Sequence, residues 1–130
     1  MSYNIDEYIA DVKKTEIKDY TKAANRLNDI QIARLMHGVM GISTEGAELL
    51  DAFKKHIFYG KELDVVNIKE EIGDIVWYLG IICDELNITF EEVMKMNVDK
   101  LKARYDDKFS EEAATTRDLD KERKILEDKK

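Results

Sequence analysis

Glu45-Gly-Ala-Glu48 and Glu71-Ile-Gly-Asp74 are the residues of this chain whose types and spacing bear chemistry. Each pair sets two carboxylates three positions apart, about 60° apart around an α-helix, so both members face one way. Two such helices side by side would bring four carboxylates into one small volume. Carboxylates held that close resist ionising unless a cation sits among them. A site made only of oxygen donors favours a hard ion, Mg2+ or Mn2+. Charge spacing alone leaves a second reading open, because exposed helix faces often carry acids at this spacing with no ligand. The surroundings set these two pairs apart. Small residues lie between the acids, Gly46 with Ala47 in one pair and Gly73 in the other. Each pair then runs into an apolar stretch, Leu49-Leu50 and Ile75-Val76-Trp77-Tyr78.

Other chemistries find less support. Di-iron bundles use Glu-x-x-His pairs. The two histidines, His37 and His56, have Arg34 and Phe53 three positions earlier. There is no His-Glu-x-x-His zinc motif and no phosphate-cradling glycine loop. The single cysteine, Cys83, excludes an intrachain disulfide and a cysteine-rich zinc site, and its apolar neighbours fit plain packing. A net charge of −7 argues against non-specific nucleic-acid binding. An anionic ligand would have to be reached through a metal or a local gathering of basic side chains.

The elements that position the acids read as helices. The 130 residues contain no proline and six glycines, so helices run long without a forced break. A first helix is predicted over about Ile5 to Leu27, with an interruption near Thr15 to Asp19 left open. A second spans about Asp29 to Phe58. Its apolar residues Leu35, Val39, Ile42, Leu49 and Phe53 fall within about 40° of one another. Glu45 and Glu48 lie on one flank of that stripe, with His37, Gly41, Ala52 and Lys55. Gly60 reads as the stop. A third helix, about Val65 to Leu86, has the stripe Ile68, Ile72, Ile75, Val76, Leu79, Ile82, Cys83 and Leu86, with Glu71, Asp74 and Tyr78 on a flank. Trp77 and Ile81 lie opposite the stripe, and a helix apolar on both sides is buried on both, which implies a subunit interface.

Thr89 with Glu92 forms a capping box for a fourth helix over about Phe90 to Tyr105, where Asn97, Lys100 and Arg104 share a side. Arg117 to Lys129 reads either as a last exposed helix or as a solvated terminus. The expectation is an all-α bundle of four to five helices, one domain over 1–130 with its core at about 28–105, assembled as a homo-oligomer. The acidic N-terminus does not fit a signal peptide. The longest apolar run, Ile75 to Cys83, is far below the roughly 20 residues of a membrane span. A soluble intracellular protein with no membrane partner is expected.

The order Glu-x-x-Glu, 22 residues, then Glu-x-x-Asp stands within the blocks HGVMGISTEGAELLDAFKK, EEIGDIVWYL and NVDKLKARY. These blocks resemble the MazG-like branch of the all-α nucleoside triphosphate pyrophosphohydrolase superfamily. The segments IFYGKELD and FSEEAATTRDLDKE resemble small single-domain members often carried by bacteriophages. The similarity covers about His37 to Leu126. It implies Glu45, Glu48, Glu71 and Asp74 as Mg2+ ligands, Asn97 as support for metal or phosphate, and Lys100 and Arg104 as triphosphate contacts. His37 and Lys55, which share the carboxylate flank, would touch nucleotide, the other readings being a structural histidine and a solvent-exposed lysine, and the base would stack on Phe58, Tyr59, Trp77 or Tyr78. Many members of the family carry a further acid where this chain has Thr44, so the role of water-activating base falls to Glu45 or Glu48. The implied reaction is hydrolysis of a nucleoside triphosphate to a monophosphate and pyrophosphate. The implied assembly is a homodimer or homotetramer with sites near subunit boundaries, in the cytoplasm of a bacterium or a phage-infected host. Two rivals remain: a non-catalytic helical interaction protein, and a nucleotide-binding regulator without fast turnover.

Overall fold

Five helix starts among the described residues carry an acceptor side chain just ahead of the first turn. Asn4 accepts from the Glu7 backbone N–H and forms a capping box with it. Asp29 accepts from Gln31 and Ile32, Asp64 from Asn67, Thr89 from Glu92, and Ser110 from Ala113. The structure, a computed structural model, describes residues 4–106 and 108–127. Its helices are α1 (Ile5–Thr15), α2 (Thr21–Leu27), α3 (Ile30–Tyr59), α4 (Val65–Glu85), α5 (Phe90–Tyr105), α6 (Glu111–Thr115) and α7 (Leu119–Glu127). The described residues contain no strand.

Among the described residues, seven helical segments stand where four or five were expected. The first predicted helix is two, because the chain leaves helical geometry at Glu16, whose ψ is 165°, and re-enters after Asp19 accepts from the Thr21 N–H. The short α6 was not anticipated, having only Ala113 and Ala114 as apolar residues. The last helix runs to Glu127, and the final residues expected in it, Asp128 and Lys129, lie outside the described residues. Gly60 ends α3 as expected, in the left-handed region at φ 64°.

The main packing unit is the antiparallel hairpin of α3 and α4, and it uses the faces that the sequence reading had placed on the flanks. On α3 the buried residues are Gly38, Gly41 and Ala52, one small-residue face. A Cβ on Gly41 would lie 2.2 Å from the ring of Tyr78, and one on Gly38 would lie 2.7 Å from Ile82 Cγ1. The helices approach so closely only because those side chains are absent. The expected apolar stripes are thereby left half open: Val39, Ile72, Val76 and Leu86 are exposed. Backbone proximity at the glycines outweighs stripe-on-stripe burial within one chain.

A second unit joins α5 to α7, with α6 against α5. Its anchor is Glu122, buried on α7, which accepts a bidentate pair from Arg104 Nε and Nη2 at 2.6 and 2.8 Å. Arg117 Nη2 adds a third bond at 2.7 Å. Ala52 is the single buried hydrophobic residue among those described. The accessible surface of the chain is 11043 Å², against about 7,100 Å² for a compact monomer of this mass. Among the described residues, no helix is long and apolar enough to cross a membrane.

Candidate active site

Close approach of α3 and α4 brings the acidic pairs together across the hairpin. One carboxylate oxygen from each of Glu45, Glu71 and Asp74 lies within 4.8 Å of the others. Gly41 precedes Glu45 by one helical turn and Tyr78 follows Asp74 by one turn. The Gly41–Tyr78 contact is therefore the packing that sets the separation of the acids. Glu71 is buried, and the Asn67 side-chain amide donates to its Oε1 at 2.8 Å. Thr44 Oγ1 donates to the Gly41 carbonyl at 2.9 Å and lies 3.4 Å from Glu45 Oε1.

The charge environment is set by carboxylates crowded together. Burial pushes the Glu45 carboxyl above the ordinary carboxylate value. A hydrogen bond with Glu71 and the charges of Asp74 and Glu71 push it the same way, while the Thr44 hydroxyl works against them. Carboxylates held this close repel one another unless a proton or a hard cation offsets their charge. The donor set of three carboxylates, one buried and oriented by an amide, fits such a cation.

Glu48 stands one turn further along α3 and faces an adjoining cavity of about 480 Å³ at the turn end of the hairpin. Lys55 lines the same cavity, its Nζ 2.6 Å from Asp51 Oδ2. Asp51 raises the lysine's pKa, with Glu48 contributing, and the lysine in turn holds the Asp51 carboxyl below its ordinary value. His37 lies on the other side, its ring edge-on to Tyr78 at 5.6 Å. Trp77 makes a similar contact with Tyr78 at 5.0 Å and is otherwise exposed. Thus Glu45, Glu71 and Asp74 meet, Glu48 and Lys55 border them, and His37 sits beside the ring beneath them.

The three α5 residues are placed differently. Asn97 borders an apolar groove with Val93, Met96 and Leu126. Lys100 is half-buried. Arg104 is turned to Glu122, which raises its pKa further. Within the chain, α5 packs chiefly on α7 rather than on the hairpin. The sequence reading did not single out Asn67, although its position one turn before Glu71 is the i, i+4 signal that would have found it. Nor did it pair Arg104 with Glu122 and Arg117, because nothing local marks a contact across 18 residues.

The segment that carries the acidic hairpin and α5 is also the one that matches a known family. The MazG nucleotide pyrophosphohydrolase domain model matches residues 35–109, more than half of the chain. No curated protein and no solved structure matches it. With the acids of α3 and α4 converging inside the matched segment, the chain belongs to the MazG nucleotide pyrophosphohydrolase domain family.

Proposed function

We propose that this protein is a Mg2+-dependent hydrolase that converts a nucleoside or deoxynucleoside triphosphate to the monophosphate and pyrophosphate. The observation that carries this reading is the meeting of Glu45, Glu71 and Asp74 within 4.8 Å inside the family segment. These three would hold the cation, with Glu48 beside them, and Mn2+ is the natural substitute for Mg2+. When bound, the cation supplies charge neutralisation at the phosphates and a lower pKa for water.

The chain's own residues do the rest. Asn67 fixes the rotamer of Glu71. Thr44, a hydroxyl where an acid is common, donates its hydrogen bond to the Gly41 carbonyl and takes no proton from water. Glu48, outside the group of three, is the carboxylate left to accept the proton of the attacking water, with Glu45 as the alternative. Lys55 balances negative charge at the cavity mouth, and His37 contacts the nucleotide from the Tyr78 side.

Asn97 and Lys100 would face the phosphates from α5, with Lys100 stabilising charge on the leaving pyrophosphate. Arg104 joins them where its bond to Glu122 opens. We place these groups against the hairpin of a second copy. The chain exposes roughly 4,000 Å² more than a compact monomer, several times the ~800 Å² that a standard interface hides on each partner. A homodimer or homotetramer of single 130-residue domains, working in the cytoplasm, accommodates that surface.

The test is incubation with a panel of ribo- and deoxyribonucleoside triphosphates and Mg2+, separating the products. Monophosphate plus pyrophosphate is the expected pair, lost in Glu45→Gln. Diphosphate plus orthophosphate would overturn the reaction. Nucleotide binding without turnover would favour a regulator instead.

A further inference from the structure

The cavity at the turn end of the hairpin is touched by the mechanism only at Glu48, Lys55 and Asn67. It adjoins the acid cluster directly, since Glu48 is one turn from Glu45 and Asn67 on its wall bonds Glu71 at 2.8 Å. Its volume of about 480 Å³ suits a small-molecule site. Buried Ala52 and the side chain of Val66 supply its apolar surface.

The polar lining is unusual for a neighbour of a triphosphate. Five carboxylates face two lysines. Asp51 is committed to Lys55, and Asp64 to the Asn67 backbone N–H. Glu62 and Glu70 make no hydrogen bond or ion pair among the described residues. Such a lining repels a phosphate chain but not an uncharged base. An ionised carboxylate only accepts hydrogen bonds. A base edge bearing an amino group satisfies it, whereas a carbonyl in the same place sets lone pair against lone pair.

We propose that this cavity takes the nucleobase, and that Glu62 and Glu70 select bases with an exocyclic amino group over their carbonyl counterparts. Cytosine is preferred to uracil, and adenine to hypoxanthine. The inference rests on the nucleotide reading of the acid cluster and adds the substrate class to it.

The test compares those isosteric pairs on the full chain with Mg2+. Calorimetry with α,β-methylene analogues of dCTP, dUTP, dATP and dITP reads binding without turnover. Hydrolysis of the natural nucleotides gives the matching kcat/KM ratios. The amino member of each pair is expected to bind at least about tenfold more tightly. The double variant Glu62→Gln/Glu70→Gln, whose amides also donate, should bring the ratio towards one. Both residues are exposed, so the variant keeps the fold, which circular dichroism checks. Equal binding within each pair, a preference unchanged in the double variant, or no binding at all overturns the proposal. Discrimination without hydrolysis leaves it standing and sinks the reaction; hydrolysis without discrimination does the reverse.

Discussion

Replacing Gly41 with alanine should separate the two helices that hold the acids. An ideal Cβ at this position would lie 2.2 Å from Tyr78 Cδ1 and Cε1 and 2.4 Å from Cγ. Ordinary carbon contacts are about 3.5–4.0 Å, so the ring or the helix must give by more than an ångström. The atoms met are the root and near edge of a ring packed against His37 and Trp77, so the ring is not free to swing away without loss. Overpacking of this kind costs about 1–3 kcal/mol. Helix propensity returns about 1 kcal/mol when glycine becomes alanine. The net is a destabilisation of about 1 kcal/mol, or roughly 3–5 °C in Tm for a chain of this size.

Gly46 provides the contrast within the same helix, because nothing lies within 4 Å of a Cβ placed there. Gly46→Ala should therefore gain up to about 1 kcal/mol from propensity alone. Urea unfolding at one fixed protein concentration compares the two variants, since the proposed assembly would make apparent stability concentration-dependent. The double variant Gly41→Ala/Tyr78→Ala removes the clashing ring and should be less damaged than the sum of its singles. On the proposed Mg2+ reading, the clash one turn from Glu45 and Asp74 should also make the rise in Tm on Mg2+ addition smaller in Gly41→Ala than in the parent. If Gly41→Ala matches or exceeds Gly46→Ala in stability, the close approach of α3 and α4 at Tyr78 is wrong, and with it the account of how the acids meet.

Glu45→Gln should act in opposite directions with and without metal. A raised folded-state pKa means that the ionised Glu45 opposes folding above the ordinary value of 4.5 and is relieved as pH falls. The variant should thus melt higher than the parent in EDTA and show little rise in Tm when Mg2+ is added; a full Mg2+ response would remove Glu45 from the cation site. Glu122 has the reverse sign. Hydrogen bonds from Arg104, then Arg117, hold its carboxyl at about 2 instead of 4.5, so its contribution is complete above pH 4.5 and fades towards pH 2. Acid titration of helical circular dichroism should show that loss, and Glu122→Gln should lower stability at neutral pH and flatten the acid slope; an unchanged slope would mean that the α5–α7 clasp carries no weight. The open surface predicts an oligomer at micromolar concentration by light scattering, and a stable monomer there would refute the assembly.

Much of the architecture was written locally. The Asp29, Asp64 and Thr89 caps mark the starts of α3, α4 and α5, and Gly60 marks the stop, because these signals act through bonds to residues two to four positions away. The acid spacing was legible for the same reason, since one turn of helix dictates that Glu45 faces with Glu48 and Glu71 with Asp74. The sequence could not tell which faces of two helices would meet. Apolar periodicity pointed to the stripes of Val39 and Val76, yet the chain packs its glycine face instead and leaves those residues exposed.

By itself, then, the amino-acid sequence determined an all-helical chain, the helix limits near the acids, and two pairs of carboxylates each set on one face of a helix. The tertiary structure decided which carboxylates share a volume, that Glu48 borders a cavity instead, and that Arg104 is held by Glu122. The physical reason is range. Caps and turns are settled by neighbours along the chain, whereas the Gly41–Tyr78 approach and the Arg104–Glu122 pair depend on backbones brought together from distant positions. A missing side chain at Gly41 leaves no periodic signal in the sequence, but in space it admits the ring that sets the distance between the acids.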